Sequence, residues 1–235
     1  MTELPQPPTP PRPERRTGRR RTLDRDAVVD AALRVLDAEG LEAVTIRRVA
    51  HELGTSGTAL YTYVRDKDEL LDLLLDRVIG EVDTSSIAAD LPWQEQVREF
   101  AREMRRVMAA HRDIARATLG RVPQGEHALT VMNDMLGRLR AANVPDEVIA
   151  LGSDLLGLYI GAVSYEESMI EPELAQDPEW LERFVGELRG YFEQLPRDRF
   201  PHMVELAGPL TSGADRFEFG LDVIVRGLAA RAADG

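Results

Sequence analysis

The segment Thr45–Lys67, TIRRVAHELGTSGTALYTYVRDK, constrains the fold of this chain more than any other. Its first half carries apolar residues at helical spacing, which predicts a short helix with one buried face: Ile46, Val49, Ala50 and Leu53. Thr45 precedes this helix, and its hydroxyl can cap the free amides of the first turn. Gly54 follows it, where a left-handed backbone reverses the chain at little steric cost. A helix followed by a tight turn is therefore predicted.

A second short helix follows this turn and is rich in small polar and aromatic residues. Leu60 and Val64 are predicted to face inward, and the outward or sideways positions are Gly57, Thr58, Tyr61, Thr62 and Tyr63. Asp66 is predicted to cap the next helix, with Glu69 reaching back in a capping box. This layout is a helix-turn-helix, whose second helix enters the DNA major groove. An ordinary helical hairpin is the alternative, because many helical proteins join two short helices at a glycine.

Segment 23–71 resembles the TetR family of bacterial transcriptional repressors, without an apparent gap. The resemblance rests on LDRDAVVDAA at 23–32, AEGL at 38–41, VTIRRVA at 44–50, LG at 53–54, ALYTYV at 59–64 and DKDELL at 66–71. The helix predicted over Asp24–Glu39 supports it, because an apolar stripe there would brace the motif: Val28, Ala32, Val35 and Leu36. The resemblance implies an amino-terminal three-helix DNA-binding domain and a larger helical domain for ligand binding and dimerisation.

The charge of the chain is segregated along its length. The net charge is −12, but residues 1–67 hold 12 Arg plus Lys against 10 acids (net +2), and residues 68–235 hold 17 against 31 (net −14). This pattern indicates that the amino-terminal part meets phosphate while the rest faces elsewhere. A length of 235 residues suits one large or two small domains, and the lack of cysteine excludes disulfides and thiolate chemistry.

Residues 1–21 carry six of the fourteen prolines, six arginines and almost no large apolar residue. This composition predicts disorder in isolation. Two interpretations remain open. The segment is either a solvated tail or an Arg-rich arm that lies along phosphates or in a minor groove beside the recognition helix.

The rest of the chain reads as almost wholly helical, and no alternating strand pattern appears, which predicts an all-α fold. The helices are predicted at about 67–81, 92–110, 113–119, 126–142, 145–168, 178–194, 200–206 and 214–230. The predicted domains are the arm at 1–21, the helix-turn-helix domain at 22–66 and the ligand-binding and dimerisation domain at 67–235. No apolar run was expected to reach the length of a membrane span, and no signal core opens the chain, so we expect a cytoplasmic protein without a membrane partner.

Motifs of catalytic chemistry were not found in the sequence: it has no Gly-rich phosphate loop, nucleophile elbow or zinc-ligand spacing. Four histidines are scattered, and His111 lies in a His-Arg-Asp triplet for which a helix-end role is favoured over a kinase-like one. An acidic cluster near a helix end is either a solvated rim or a metal site: Glu166, Glu167 and Glu171. We expect no cofactor, no metal and no enzymatic activity.

The TetR resemblance implies roles for residues in and beside the motif. Thr45 and Lys67 would hold phosphates, together with the amides that open the helix after Asp66. Arg47 would reach the bases, because its fork can grip guanine O6 and N7. The remaining DNA-binding candidates lead the recognition helix or donate phenolic hydroxyls to phosphates: Gly57, Thr58, Ala59, Tyr61 and Tyr63. Each outward residue is alternatively plain helix surface.

The carboxy-terminal part is similar to the tetracycline-binding members of that family. The similarity is patchier and rests on Trp93, AHRD at 110–113, LG at 119–120, FEFGLD at 217–222 and GL at 227–228. It implies that the helix at 146–168, with Leu151, Leu155, Leu158, Tyr159 and Ala162 on one side, pairs with the closing helix and their copies in a second subunit. The apolar stripes are equally compatible with an internal core.

The same resemblance implies an effector cavity in each body. Its predicted lining is Phe100, Met104, Thr118, Arg121, Val122, Val131 and Met135. Plain core is the alternative for the Met and Phe side chains. Thr118 stands where the tetracycline-binding members have a metal-ligating histidine, which threonine cannot replace, and Tyr165 stands near a second coordinating position. A bulky, largely apolar antibiotic or metabolite is therefore expected, without a metal.

Together these features predict a homodimeric repressor that binds a palindromic double-stranded DNA operator and is released by a small-molecule effector. The alternative is an activator, or a protein-interaction module that kept the fold.

Overall fold

The computed structural model describes residues 23–118, 120–122, 124–213 and 215–233. These residues form eleven α-helices, three short 3-10 helices and no strand, which confirms the all-α prediction. The predicted arm at 1–21 lies outside them. The α-helices are α1 (Arg25–Glu39), α2 (Ile46–Glu52), α3 (Gly57–Leu60), α4 (Lys67–Ile79), α5 (Trp93–Ala109), α6 (Glu126–Ala141), α7 (Asp146–Gln176), α8 (Trp180–Glu193), α9 (Pro201–Glu205), α10 (Ala207–Leu210) and α11 (Arg216–Ala233).

We call residues 23–66 the head and residues 67–233 the body. In the head, side-chain caps set where the helices begin. The Asp24 carboxylate accepts the Ala27 amide at 2.8 Å ahead of α1, and the Thr45 hydroxyl accepts the Arg48 amide at 3.1 Å ahead of α2. Each cap satisfies an amide that the helix leaves without a partner. Gly54 closes α2 with a φ of 64°, as the predicted turn requires.

The second helix of the predicted helix-turn-helix is shorter than its sequence suggested. α3 is a single turn, capped by Ser56, and Val64 lies beyond its end although it is buried as predicted. The capping box also differs from the prediction. Asp66 does cap α4 by accepting the Glu69 amide, but the Glu69 carboxylate accepts the Arg65 amide at 2.7 Å, one residue before the cap. The Glu69 carboxylate thus ties the end of the head to the first turn of α4.

One long core runs from the head into the body through α4. It gathers buried residues of α1 to α4 with others from α5, the 3-10 helix Ile114–Thr118 and α6. A second core joins α5, α6, α7 and α11. The six buried residues of α4 lie in the first core: Leu70, Leu71, Leu74, Leu75, Val78 and Ile79. A movement of α4 therefore disturbs both head and body.

α7 corrects two predictions. It continues to Gln176, eight residues past the predicted end, and contains Pro172, although a proline inside a helix removes one bond of the ladder and its ring crowds the carbonyl four residues back. By length and composition α7 is also long and apolar enough to cross a bilayer, which contradicts the expectation that no apolar run reaches that length. Length and composition alone do not identify a membrane span, because the core helix of a folded protein meets the same criteria.

Most of the apolar stripe predicted on α7 does not serve an internal core; the exception is Tyr159, which packs against the second core and stacks on Phe217. Leu151, Leu155 and Leu158 are exposed, and the residues of α7 that are buried alternate with them: Ile149, Gly152, Leu156, Ile160, Gly161 and Ser164. α11 is divided in the same way, with Phe217 and Leu221 buried and Phe219 and Val223 exposed. Both helices therefore carry an apolar face that a single chain leaves uncovered.

Candidate nucleic-acid interface and effector cavity

The predicted DNA contacts lie on α2, α3 and the start of α4. Arg47, Thr58, Tyr61 and Lys67 are exposed, and the other four are partly buried: Thr45, Gly57, Ala59 and Tyr63. Tyr63 packs against the head core, whereas the Tyr61 side chain is 59% exposed just after α3. That any of the eight touches DNA stays a prediction.

The two adjacent arginines of α2 have different surroundings. The Arg48 guanidinium donates to Glu39 and to Glu52, and the hydrogen bond that the Glu39 carboxylate accepts contributes most to raising the pKa of Arg48. Arg47 is exposed and makes no ion pair within the part of the chain that the structure describes. Arg48 is thus occupied inside the head, and Arg47 is free to reach a nucleic acid.

Lys67 is the first residue of α4, directly after the Asp66 cap. The amides that open a helix favour anions, so this end of α4 suits a phosphate next to the lysine ammonium. At the other end of the same helix, Ile79 in the last turn lines a cavity. α4 therefore connects the candidate DNA surface to that cavity.

The cavity has a volume of about 330 Å³ and is lined mostly by apolar side chains of α5, α6 and α7. The 3-10 helix and the segment 120–122 close one side. All seven residues predicted for the effector site line it: Phe100, Met104, Thr118, Arg121, Val122, Val131 and Met135. That they contact an effector stays a prediction. Tyr165 is not among the lining residues; it packs against the first core instead.

Sequence reasoning missed the contribution of α7 to this cavity. Gly152, Gly157 and Gly161 all line it. A Cβ on Gly161 would come within 2.8 Å of the Thr118 hydroxyl, and one on Gly152 within 2.9 Å of Leu228, whereas one on Gly157 would meet nothing within 4 Å. Three glycines on one helix were the available signal, because small residues leave room beside a backbone. The helix had been interpreted only as a dimerisation element.

Two polar side chains of the cavity wall, Thr118 and Arg121, are already engaged. The Thr118 hydroxyl donates to the Ala115 carbonyl at 2.7 Å, and the Arg121 guanidinium donates to Asp68 and Asp72, both at 2.6 Å. Within the described ranges, no three His, Asp or Glu side chains cluster in a way that could hold a metal ion. In the acidic cluster of α7, Glu167 pairs with Arg105 and Glu166 with Arg216.

His111 joins head and body. It follows α5, is 8% exposed, and places Nδ1 at 3.0 Å from Asp37 of α1 and Nε2 at 2.9 Å from Glu81 after α4. Burial lowers the pKa of His111, but the hydrogen bonds to Glu81 and Asp37 and the charges of these carboxylates outweigh it, so its pKa is raised. The neighbouring Asp113 accepts the Leu41 amide at 2.7 Å. The His-Arg-Asp triplet therefore has the structural role that was favoured.

Two family descriptions match this arrangement. "Bacterial regulatory proteins, tetR family" matches residues 28–74, and "Tetracyclin repressor-like, C-terminal domain" matches residues 89–232. The chain belongs to the TetR family. This confirms the resemblance inferred from the helix-turn-helix segment.

Several TetR-family proteins are similar over nearly the whole chain. The solved structure of ActR from Streptomyces coelicolor in complex with actinorhodin is 42% identical, with a TM-score of 0.80, and 90% of this chain and 98% of that chain are covered. The transcriptional repressor DrrR1 of Streptomyces coeruleorubidus is 33% identical over 222 residues, covering 92% of this chain and 80% of that protein. The class A tetracycline repressor from transposon 1721 of Escherichia coli is 30% identical over 214 residues, covering 89% of this chain and 92% of that protein. The relatives are transcriptional regulators, and this chain is a TetR-family transcriptional repressor.

Proposed function

We propose that this TetR-family repressor is a homodimer that binds a near-palindromic operator and is released by a bulky, largely apolar effector. The observation that carries the proposal is α4. Its first residue, Lys67, lies at the candidate DNA surface, and Ile79 in its last turn lines the cavity. A ligand in the cavity and a phosphate at the head therefore act on the same rigid helix.

The dimer part of the proposal rests on exposed apolar faces. Leu151 and Leu158 on α7 are 64% and 65% exposed, and Phe219 on α11 is 73% exposed. A contiguous apolar surface on two neighbouring helices marks an interaction site. Pairing α7 and α11 with their copies would form a four-helix bundle and would set two heads side by side, which suits an operator with two half-sites.

The effector part rests on the cavity and on a relative. ActR was solved in complex with actinorhodin. We infer that the effector here resembles that compound and gains affinity from apolar surface buried against side chains such as Phe100 and Met135, at about 25 cal/mol per Å² before ordering costs. Thr118 supplies no imidazole, and its hydroxyl is engaged by Ala115. Binding should therefore need no divalent ion, and because the operator is genomic DNA we infer a cytoplasmic location.

Operator binding is tested with labelled DNA from upstream of the gene, and with sites selected from random DNA. Fluorescence anisotropy is expected to show specific binding that weakens steeply with salt, because each neutralised phosphate releases counterions. Sedimentation is expected to give two chains per site. A single chain on an asymmetric site would contradict the dimer, and absence of any specific site would favour a protein-interaction module.

Metal independence is tested separately, by thermal shift with actinorhodin in buffer with and without EDTA. Equal stabilisation in both buffers is expected. Loss of stabilisation on chelation that magnesium restores would show that Thr118 has been misinterpreted.

A further inference from the structure

Arg121 belongs to two parts of the molecule at once. It lies in the segment between the 3-10 helix Ile114–Thr118 and α6, and it lines the cavity. Its guanidinium turns away toward α4, where Nη2 donates to Asp68 Oδ1 and Nη1 to Asp72 Oδ1, each at 2.6 Å. Both bonds are charge-assisted, the stronger class of hydrogen bond in proteins. The cavity wall is thus fastened to the first two turns of α4.

A third carboxylate of α4, that of Asp76, makes similar contacts with the start of α6. Asp68, Asp72 and Asp76 recur every four residues on α4 and therefore share one face of the helix. Asp76 accepts the Ala128 amide at 2.9 Å and lies 2.9 Å from His127 Nδ1, at the start of α6. Ala128 also lines the cavity.

The acidic face of α4 packs closely against the residues that open α6. A Cβ on Gly125 would overlap the Asp76 carboxylate, and one on Gly80 would come within 2.9 Å of His127. The three aspartates therefore hold Arg121 and the start of α6 along the length of α4.

We propose that Arg121, held by Asp68 and Asp72, is the positioning residue that transmits occupancy of the cavity to α4 and so to the DNA-binding head. The inference rests on the proposed function and names the regulation of the same site. An effector that fills the cavity displaces the wall at 120–122, and α4 follows because two ion pairs bind its first turns to that wall. The Asp66 cap and Lys67 immediately precede these turns, so the displacement reaches the candidate phosphate site directly.

An ion pair between the body and the head provides a control. Arg116 Nη1 donates to Glu42 Oε1 at 2.8 Å, joining the 3-10 helix of the body to the head. Arg116 does not line the cavity, and Glu42 does not belong to α4. Breaking the Arg116 pair removes an arginine–carboxylate ion pair near the cavity wall and leaves the connection from cavity to α4 intact.

The experiment measures a coupling factor, which is the ratio of operator dissociation constants with and without saturating actinorhodin. It uses the full chain as wild type, as Asp68→Asn/Asp72→Asn, as Arg121→Gln and as Glu42→Gln. Coupling between sites typically amounts to roughly 5–150-fold. The double aspartate variant is expected to keep actinorhodin binding and to reduce the coupling factor to about 1–2-fold, whereas Glu42→Gln keeps the wild-type factor. Arg121→Gln is expected to lose coupling in the same way.

Several outcomes overturn the proposal. A double aspartate variant that folds, by thermal denaturation, and retains the wild-type coupling factor shows that Arg121 transmits nothing through α4. If Arg121→Gln loses actinorhodin binding while the double aspartate variant stays coupled, Arg121 is a ligand contact only. If Glu42→Gln lowers the coupling factor as much as the double aspartate variant does, the effect belongs to contacts between head and body in general.

Failure of the proposed function is distinguishable from failure of this inference. If the wild-type chain binds no specific DNA, the proposed function is contradicted before any coupling factor is measured. If DNA binds and actinorhodin does not, 8-anilinonaphthalene-1-sulfonate takes its place as an apolar fluorescent probe, and the same coupling ratios decide the role of Arg121.

Discussion

Leu60 in the head and Leu158 in the body are both leucines on α-helices, yet the first is 0% exposed and the second 65%. Around Leu60 the head has buried its inward positions, and what it leaves outside is mainly polar or charged. The body instead divides its apolar residues among two cores, a cavity wall and exposed faces of α7 and α11. The head thus covers most of its apolar residues, whereas the body encloses a cavity and leaves apolar faces of two helices uncovered.

The largest expected effect contrasts these two leucines. Leu60→Ala should lower the free energy of unfolding by about 2–5 kcal/mol, because it opens a cavity in a packed core. Leu158→Ala should change the stability of the isolated chain by no more than about 0.5 kcal/mol but weaken self-association. Urea denaturation and sedimentation equilibrium measure the two quantities. Equal loss of chain stability in both variants would contradict the difference between head and body.

A smaller effect is expected at the head surface. Arg47→Ala should lower operator affinity by about 1–3 kcal/mol and relax the preference for one base, because Arg47 is free while Arg48 is held by Glu39 and Glu52. Binding to operator variants substituted at each position measures both effects. Lys67→Ala is the comparison. It should weaken binding to all DNA sequences alike and reduce the slope of log affinity against log salt concentration by about one unit. A uniform loss for Arg47→Ala would reassign that residue to phosphate.

Loss of a helix cap should cost less. Thr45→Ala removes the acceptor of the Arg48 amide and should destabilise the head by about 0.5–2 kcal/mol. Thr130→Ala is the matched control, since the Thr130 hydroxyl is exposed and only donates to the Glu126 carbonyl within α6. Thermal unfolding of both variants is the measurement. A control as destabilised as Thr45→Ala would show that the cap has no special role.

The smallest effect concerns the junction of the two regions, through pH. The pKa of His111 is raised in the folded chain, so its ion pairs with Asp37 and Glu81 contribute fully below the unfolded pKa of roughly 6.5. That contribution is lost as pH rises through the folded pKa. The melting temperature of wild type should therefore exceed that of His111→Gln by a few degrees at pH 6, and the gap should shrink at alkaline pH. A gap that grows with pH would contradict this assignment.

What could be predicted from the sequence follows the same division. In the head, caps and turns are local, so Thr45, Gly54 and Asp66 were identified from their neighbours alone. The length of α3 was not predicted correctly, because a single turn followed by a buried Val64 has the same sequence pattern as a longer helix.

In the body, periodicity failed on α7 because both of its faces are apolar, and pattern alone does not say which face is covered. The lining of the cavity by residues such as Phe100 was inferred through resemblance rather than from spacing. The ion pairs of Arg121 join residues that are 49 and 53 positions apart, and nothing local in the sequence indicates such a contact.

The most direct test of the account is a titration of labelled operator with the wild-type chain, with and without saturating actinorhodin, in buffer containing EDTA. Because α4 contacts both the candidate DNA surface and the cavity, the account predicts that actinorhodin weakens operator binding. Linkage requires that operator weaken actinorhodin binding by the same factor. Actinorhodin that binds the chain and leaves operator affinity unchanged would contradict the claim that cavity and head act on one helix.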